Sequence, residues 1–162
     1  VTPMAEHSIN VGRLLRERGY DDLTVFTGYY HDVIEDCSEN FPGMNINEIV
    51  LKQARLFFDE NQANDALNLV LLCSYSPEEY EEEKRVFQET GDKLKGKNQR
   101  KKMAVERWLN SPLKVRLVKE ADVDDNEKSA LSVGKEFYTN YTNWAVPFRD
   151  ELILLRTNSL KM

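Results

Sequence analysis

The amino-acid sequence predicts an all-α protein, and three observations support that fold class. Apolar residues recur at steps of three and four along most of the chain, which is the period of an amphipathic helix. No segment shows a convincing alternation of apolar and polar residues, the pattern of a strand with one buried face. The 162 residues, 41% of them hydrophobic, suit one domain with a single core. We therefore expect a single-domain helical bundle that comprises residues 1–162.

Start and stop signals define the helices predicted for the first half of the chain. Thr2-Pro3 combines a hydroxyl cap with a proline in the first turn, and Gly19 is suited to end that helix. A second helix is predicted to begin at residue 21 or 22 and to continue through Ile34. The next predicted segments are a loop at 37–45, with the turn signal Pro42-Gly43, and helices at 46–58 and 63–75.

The second half is predicted to contain a charged connection followed by three helices. Residues 76–97 include Pro77, Gly91 and Gly96 among many charged side chains, which predicts a helix with mobile connections around it. Ser111-Pro112 separates the next two helices, because proline cannot continue a helix from within. The predicted helices are 98–110, 112–126 and a last one, whose apolar stripe is Phe137, Tyr141, Trp144, Phe148, Leu152 and Leu155.

Charge and composition argue against several functional classes. A net charge of −6 argues against broad nucleic-acid binding, which needs a basic surface. No run of about 18 apolar residues occurs, so we expect no membrane span. The two cysteines, Cys37 and Cys73, are too few for a disulfide framework and indicate a reducing, cytoplasmic setting. These observations leave open whether the protein is a monomer or a homo-oligomer.

Two short segments carry the residues best suited to chemistry. His31 is followed by Asp32, Glu35 and Asp36, so one imidazole and three carboxylates lie within six residues. Carboxylates near the end of a helix oppose its dipole, and a bound cation would offset that cost. Asp122 lies at the edge of an apolar face, where a carboxylate is costly to bury unless it is paired or bound to metal. Solvated acidic residues at two helix ends are the alternative in both segments.

A basic cluster at 93–102 is a candidate for anion binding. It contains six basic side chains and no acidic one, and six residues at 78–83 read EEYEEE. The cluster could therefore hold the phosphates of a ligand. A solvated helix face, or pairing with the nearby glutamates, explains the same pattern, and the sequence leaves the choice open.

Three motifs together resemble the HD superfamily of metal-dependent phosphohydrolases. They are TPxxxH at 2–7, HDxxED at 31–36 and KxADxxxN at 119–126. The spacing is most similar to the hydrolase domain of RelA/SpoT-type enzymes and their small stand-alone relatives, which remove the 3′-pyrophosphate from guanosine tetra- and pentaphosphate. The resemblance implies an HD-type helical bundle with a buried metal site and a small-molecule nucleotide as substrate.

The resemblance also implies a role for each matching residue. The divalent ion, Mn²⁺ first and Fe²⁺ or Zn²⁺ as alternatives, would be bound by His7, His31, Asp32 and Asp122. Glu35 and Asp36 would activate or orient the attacking water. The residues expected near the nucleotide and its phosphates are Asn126, Arg100, Lys101 and Lys97.

The chain also departs from the family pattern. Val123 stands where the family has a basic residue that contacts the substrate, Ser8 stands in place of proline, and Glu120 in place of leucine. Trp144, which matches an aromatic residue of the closing helix, is expected to pack in the core. Two other functions therefore stay open, an HD phosphohydrolase for another nucleotide such as a nucleoside monophosphate, and a catalytically silent nucleotide-binding domain.

Overall fold

The computed structural model describes residues 3–160, except the side chains of 159 and 160, and confirms an all-α fold. Within this range the chain forms helices and no strand. Thr2, predicted to cap the first helix, lies outside the described residues. No helix of the described part is both long and apolar enough to cross a membrane. The helices are α1 (Pro3–Glu17), α2 (Asp22–Tyr30), α3 (Val33–Asn40), α4 (Ile46–Ala54), α5 (Glu60–Cys73), α6 (Pro77–Thr90), α7 (Lys93–Leu109), α8 (Leu113–Val133) and α9 (Lys135–Leu160).

The prediction of one continuous helix through Ile34 is wrong, because the chain turns at His31 and Asp32. Helix α2 ends at Tyr30 and α3 begins at Val33. The His31 ring donates from Nδ1 to the carbonyl oxygen of Gly28 at 2.7 Å. In a continuing helix that carbonyl would accept from the backbone N–H four residues later, so the side chain competes with the helical hydrogen bond. The predicted loop at 37–45 accordingly starts later, since α3 continues to residue 40.

The segment 76–97, predicted to be a helix with mobile connections, forms α6 and the first turn of α7, which a short turn joins. Ser76 and Glu79 form a reciprocal capping box at the start of α6, and Gly91 ends that helix at a φ of 68°. Asp92 then caps α7 by accepting from two backbone N–H groups. A Cβ atom at Gly96 would lie 2.7 Å from the carbonyl oxygen of residue 83, so α6 and α7 approach closely there. The many charged residues of this segment favoured the prediction of mobile connections over these turn and cap signals.

Helix α8 is the centre of the bundle and contacts α1, α2, α5, α7 and α9. Val115, Val118 and Ala121 of α8 are fully buried. The main core cluster gathers buried side chains from all of these helices, and a second cluster joins α2, α4 and α5. This packing places the inward face of α8 against the inner faces of α1 and α2, which is where the predicted metal ligands lie.

Helices α1 and α2 cross closely because glycines face each other. A Cβ atom at Gly28 would lie 3.4 Å from the Cα atom of Gly12, and one at Gly12 would overlap the Tyr29 ring at 2.3 Å. The close crossing brings the rings of His7 and His31 to 5.2 Å between centroids. Backbone contact between these two helices thus positions both candidate histidines.

Candidate metal centre

The four predicted metal ligands converge on one point. His7 comes from α1, His31 and Asp32 come from the turn between α2 and α3, and Asp122 comes from α8. Each offers one ligand atom, and these atoms all lie within 4.8 Å of one another. The nitrogen–oxygen distances are 2.9 Å for His7–Asp122, 3.6 Å for His7–Asp32, 3.2 Å for His31–Asp32 and 3.4 Å for His31–Asp122.

These separations match the size of a metal coordination shell. A divalent ion about 2.1 Å from each donor places neighbouring donors about 3.0 Å apart in octahedral geometry and about 3.4 Å apart in tetrahedral geometry. The four nitrogen–oxygen distances span 2.9 to 3.6 Å. The cluster could therefore hold a metal ion without a large rearrangement of its side chains.

The orientation of both imidazole rings supports the same conclusion. Nδ1 of His31 bonds to the carbonyl oxygen of Gly28, which only accepts, so this nitrogen carries a hydrogen. Its Nε2 atom is buried and has no hydrogen-bond partner among the described residues. Nδ1 of His7 lies 2.7 Å from the carboxylate of Asp125 in the same way. A metal-binding histidine ordinarily has its second nitrogen held by a carbonyl or carboxylate, which leaves the first nitrogen free for the ion.

Attraction between the imidazoles, Lys119 and the carboxylates shifts the pKa values of the cluster. Burial alone would lower the pKa of His31, but the carboxylates of Asp122 and Asp32 outweigh it and raise this pKa to about 10. Burial would raise the pKa of Asp122, but Lys119 and the two imidazoles hold it well below its usual range. The carboxylates thus attract positive charge strongly. Protons on the imidazoles and a metal ion would therefore compete for this site.

Asp125 and Lys119 belong to the site although their roles were not recognised from the sequence. Asp125 lies one turn after Asp122 on α8 and its side chain is 9% exposed. Lys119 lies one turn before Asp122, and its ammonium is 3.4 Å from the second carboxylate oxygen of Asp122. Helical spacing of three residues places all three on one face, and this spacing was the signal available in the sequence.

Glu35 and Asp36, the predicted water-activating pair, lie in different surroundings. Oε1 of Glu35 accepts the backbone N–H of Tyr75 at 2.8 Å. Burial raises the pKa of Glu35, although that hydrogen bond and Lys119 oppose it. Burial and the nearby charge of Asp32 raise the pKa of Asp36. Glu35 lines the pocket beside the metal cluster, whereas Asp36 is partly exposed and does not line it.

A pocket of about 280 Å³ adjoins the metal cluster. Five aromatic rings contribute to its walls, and two lysines and Asn126 add polar groups. The Asn126 amide donates to Asp122 at 2.9 Å, and the ammonium of Lys101 lies 4.4 Å from the centre of the Trp144 ring. Trp144 therefore faces the pocket as well as packing against the core. The residues that line the pocket are Asp32, Glu35, Tyr75, Lys101, Trp108, Lys119, Asp122, Val123, Asn126, Tyr141, Trp144 and Phe148.

Two of the predicted phosphate-binding residues are not among those that line this pocket. Arg100 donates to Glu83 at 2.5 Å, and its guanidinium lies over the rings of Tyr75 and Tyr80 at 4.3 and 5.0 Å from their centres. Lys97 is exposed to solvent. Neither side chain lines the pocket. Of the three basic residues predicted to bind phosphate, only Lys101 faces it.

The acidic residue at position 120 has a direct structural explanation. Glu120 is buried and forms a two-pronged ion pair with Arg156 of α9, with both distances at 3.1 Å. An acidic residue at this position therefore connects α8 to α9, a role that leucine could not have.

Comparisons with protein-family models, with curated proteins and with solved structures found no match. The chemistry of the site therefore carries the functional interpretation. That chemistry is a cluster of two imidazoles and two carboxylates that could hold a metal ion, beside an aromatic pocket that contains two ammonium groups.

Proposed function

We propose that this chain is a metal-dependent phosphohydrolase that acts on a nucleotide. One observation carries the proposal: His7, His31, Asp32 and Asp122 converge within 4.8 Å, while other groups hold Nδ1 of both rings. The same four residues are the metal ligands implied by the resemblance to the HD superfamily. Their convergence supports a shared metal site, since solvated acidic helix ends would have no reason to meet around one buried and one partly buried imidazole.

The donor set suits a divalent transition metal. Two neutral imidazoles and two carboxylates provide two negative charges, which fits Mn²⁺, Fe²⁺ or Zn²⁺. We propose Mn²⁺ because the resemblance favours it. When bound, the ion would supply Lewis-acid polarisation of the phosphoryl group and a lowered pKa for a bound water.

Glu35 is our candidate for the group that takes the proton of the attacking water. Tyr75 holds one of its carboxylate oxygens, and Glu35 lines the pocket beside the candidate metal ligands. Its raised pKa makes it a stronger base than an ordinary glutamate, closer to the value that suits proton transfer at neutral pH. Asp36 is the second candidate and would help to orient the water from a more exposed position.

Guanosine 3′,5′-bis(diphosphate) is our first proposal for the substrate, with release of the 3′-pyrophosphate. The aromatic walls of the pocket suit a planar base, and Lys101 and Asn126 provide donors for phosphate or sugar oxygens. Phosphoryl transfer depends mainly on positioning and on neutralising charge, which this arrangement supports. Arg100 and Lys97 would take part only after leaving the positions described above.

A nucleoside monophosphate is the second candidate. The observation that favours it is the small number of cations in the pocket, since Arg100 is paired with Glu83 and Lys97 lies in solvent. Val123, apolar and buried, lines the pocket where the family has a basic residue. A substrate with fewer phosphates would need fewer such contacts.

A screen for released phosphate and pyrophosphate with Mn²⁺, with and without chelator, tests the proposal. We expect chelator-sensitive cleavage of guanosine tetraphosphate, and loss of this cleavage in His31→Ala with unchanged helical circular dichroism. Cleavage of nucleoside monophosphates alone would select the second candidate. Nucleotide binding without any turnover would indicate a silent binding domain and would reject the enzymatic proposal.

A further inference from the structure

Lys119 is a buried ammonium group that faces the pocket beside the metal cluster. Its side chain is 7% exposed. Within residues 3–160 its Nζ atom has a single hydrogen bond, to Asp122 at 3.4 Å, which is longer than the usual 2.7–3.2 Å. An ammonium group has three donors. Lys119 therefore retains donors that no described residue satisfies.

The aromatic ring beside Lys119 holds the ammonium in a defined place. Nζ lies 3.9 Å from the centre of the Trp108 ring, a distance typical of a cation–π contact. Trp108 is itself fixed, because its indole N–H donates to the carbonyl oxygen of Leu72 at 3.0 Å. The ammonium is thus pre-positioned by a rigid neighbour, as expected of a group that meets a ligand.

The negative charge of Asp122 compensates the buried positive charge of Lys119 only as long as Asp122 binds no other cation. A metal ion bound by Asp122 would share the charge of that carboxylate and weaken its attraction for Lys119. A buried ammonium without an anionic partner is costly. Of the other carboxylates that act on Lys119, Asp32 would bind the same ion, and one oxygen of Glu35 is held by the backbone N–H of Tyr75. In the metal-loaded protein, an anion in the pocket would therefore replace part of the negative charge that Lys119 loses.

We propose that Lys119 binds the phosphoryl group of the substrate in the pocket beside the metal ligands. This inference rests on the proposed function and adds a specific anion-binding residue to it. The carboxylates of Asp32, Glu35 and Asp122 all line the same pocket and would repel a phosphate. Lys119 lies on the same wall of the pocket as Asp122, and its positive charge counteracts this repulsion. Its surroundings are aromatic, so a contact between charges there is stronger than in water.

The test uses the full chain, with Mn²⁺ and inorganic phosphate as probes measured separately by titration calorimetry. Lys119→Met removes the charge and keeps the length of the side chain. We expect this variant to bind Mn²⁺ at least as tightly as the unchanged protein, because a positive charge beside Asp122 is gone. Phosphate binding to the Mn²⁺-loaded protein should weaken at least tenfold.

Lys128→Met is the matched control, since Lys128 lies on the same helix, is exposed and does not line the pocket. It should leave both affinities within twofold. If Lys119→Met fails to fold, Lys119→Gln takes its place, because it removes the charge but keeps a donor for Asp122.

Three outcomes would overturn the assignment to Lys119, and they differ in what else they reject. Phosphate binding that survives the loss of charge would leave the metal site intact but remove the anion-binding role. Parallel loss of Mn²⁺ and phosphate binding in a folded variant would show that Lys119 only maintains the ligand cluster. Absence of Mn²⁺ binding by the unchanged protein would reject the proposed function together with this inference.

Discussion

His7 and His31 meet the cluster through the same ring nitrogen, because another group holds Nδ1 of each ring. For His31 that group is the backbone carbonyl of Gly28, which lies only three residues earlier in the chain. For His7 it is Asp125, which lies 118 positions away in the sequence. The first contact is local, whereas the second exists only because α1 packs against α8.

Asp125→Asn tests whether this carboxylate prepares His7 for metal binding. We expect Mn²⁺ affinity to fall about 10- to 100-fold, because an amide fixes the ring less firmly and lowers the electron density on Nε2. Titration calorimetry with Mn²⁺ measures the change, and circular dichroism checks that helicity is retained. Asp124→Asn is the control, since Asp124 pairs with Arg18 and Arg149 away from the cluster. Equal losses in both variants would contradict the role of Asp125.

The motif resemblance implied the four candidate metal ligands, but the residue types did not indicate which charges surround them. Two histidines and an HDxxED segment attract attention in a sequence because histidine is rare here and carboxylates cluster. A lysine or an aspartate in a charged stretch ordinarily lies in solvent, so the three-residue spacing of Lys119 and Asp125 from Asp122 did not by itself predict their burial. Their burial depends on which helices cover α8.

At the scale of helices, the turn at His31 and Asp32 shows why local periodicity is insufficient. The apolar pattern of residues 22–34 suits one helix, and the prediction followed it. The structure interrupts the helix where the His31 ring takes a backbone acceptor. This interruption turns His31 and Asp32 toward the same point, which consecutive residues on a regular helix could not both reach.

The helical pair α6–α7 offers a test of packing away from the metal ligands. Gly96→Ala should destabilise the protein by about 1–3 kcal/mol, because the new Cβ would lie 2.7 Å from a backbone carbonyl oxygen of α6. Urea denaturation measures the change in the free energy of unfolding. The control Lys95→Ala, at an exposed neighbouring position, should stay within about 0.5 kcal/mol. An unchanged midpoint in Gly96→Ala would mean that the two helices can separate without cost.

Across the whole molecule, the four candidate metal ligands join distant parts of the chain, so a bound metal ion should stabilise the bundle. Saturating Mn²⁺ at about 100 times its Kd would add about 2.7 kcal/mol to the free energy of unfolding. Asp122→Asn should abolish this gain, since Asp122 contributes one of the four ligand atoms. Melting temperatures measured with Mn²⁺ and with chelator give the difference.

The stabilisation by Mn²⁺ should also increase with pH, and the direction of this change follows from the pKa shifts of the histidines and the aspartates. In the metal-free protein, His31 stabilises the fold below its ordinary pKa of 6.5 and loses that contribution as pH rises through about 10. Asp122 stabilises the fold above 3.8 and loses its contribution on acidification, because its pKa is lowered. Mn²⁺ competes with the protons on the imidazoles, so its stabilisation should be greater at about pH 8 than at about pH 6. A gain that is constant or larger at the lower pH would contradict this site.

The sequence by itself determined the all-α class and most of the helices, and its motif resemblance implied the four side chains that could hold a metal ion. The spacing of apolar residues and the spacing of motif residues are properties of the sequence, and they can be recognised without knowing which helices pack together. Only the tertiary structure decided which charged residues are buried beside those side chains, which basic residues face the pocket, and which basic residues form ion pairs away from it. Burial and pairing depend on contacts between helices far apart in the chain, so a buried ammonium such as Lys119 and a solvent-exposed one such as Lys97 look alike in sequence.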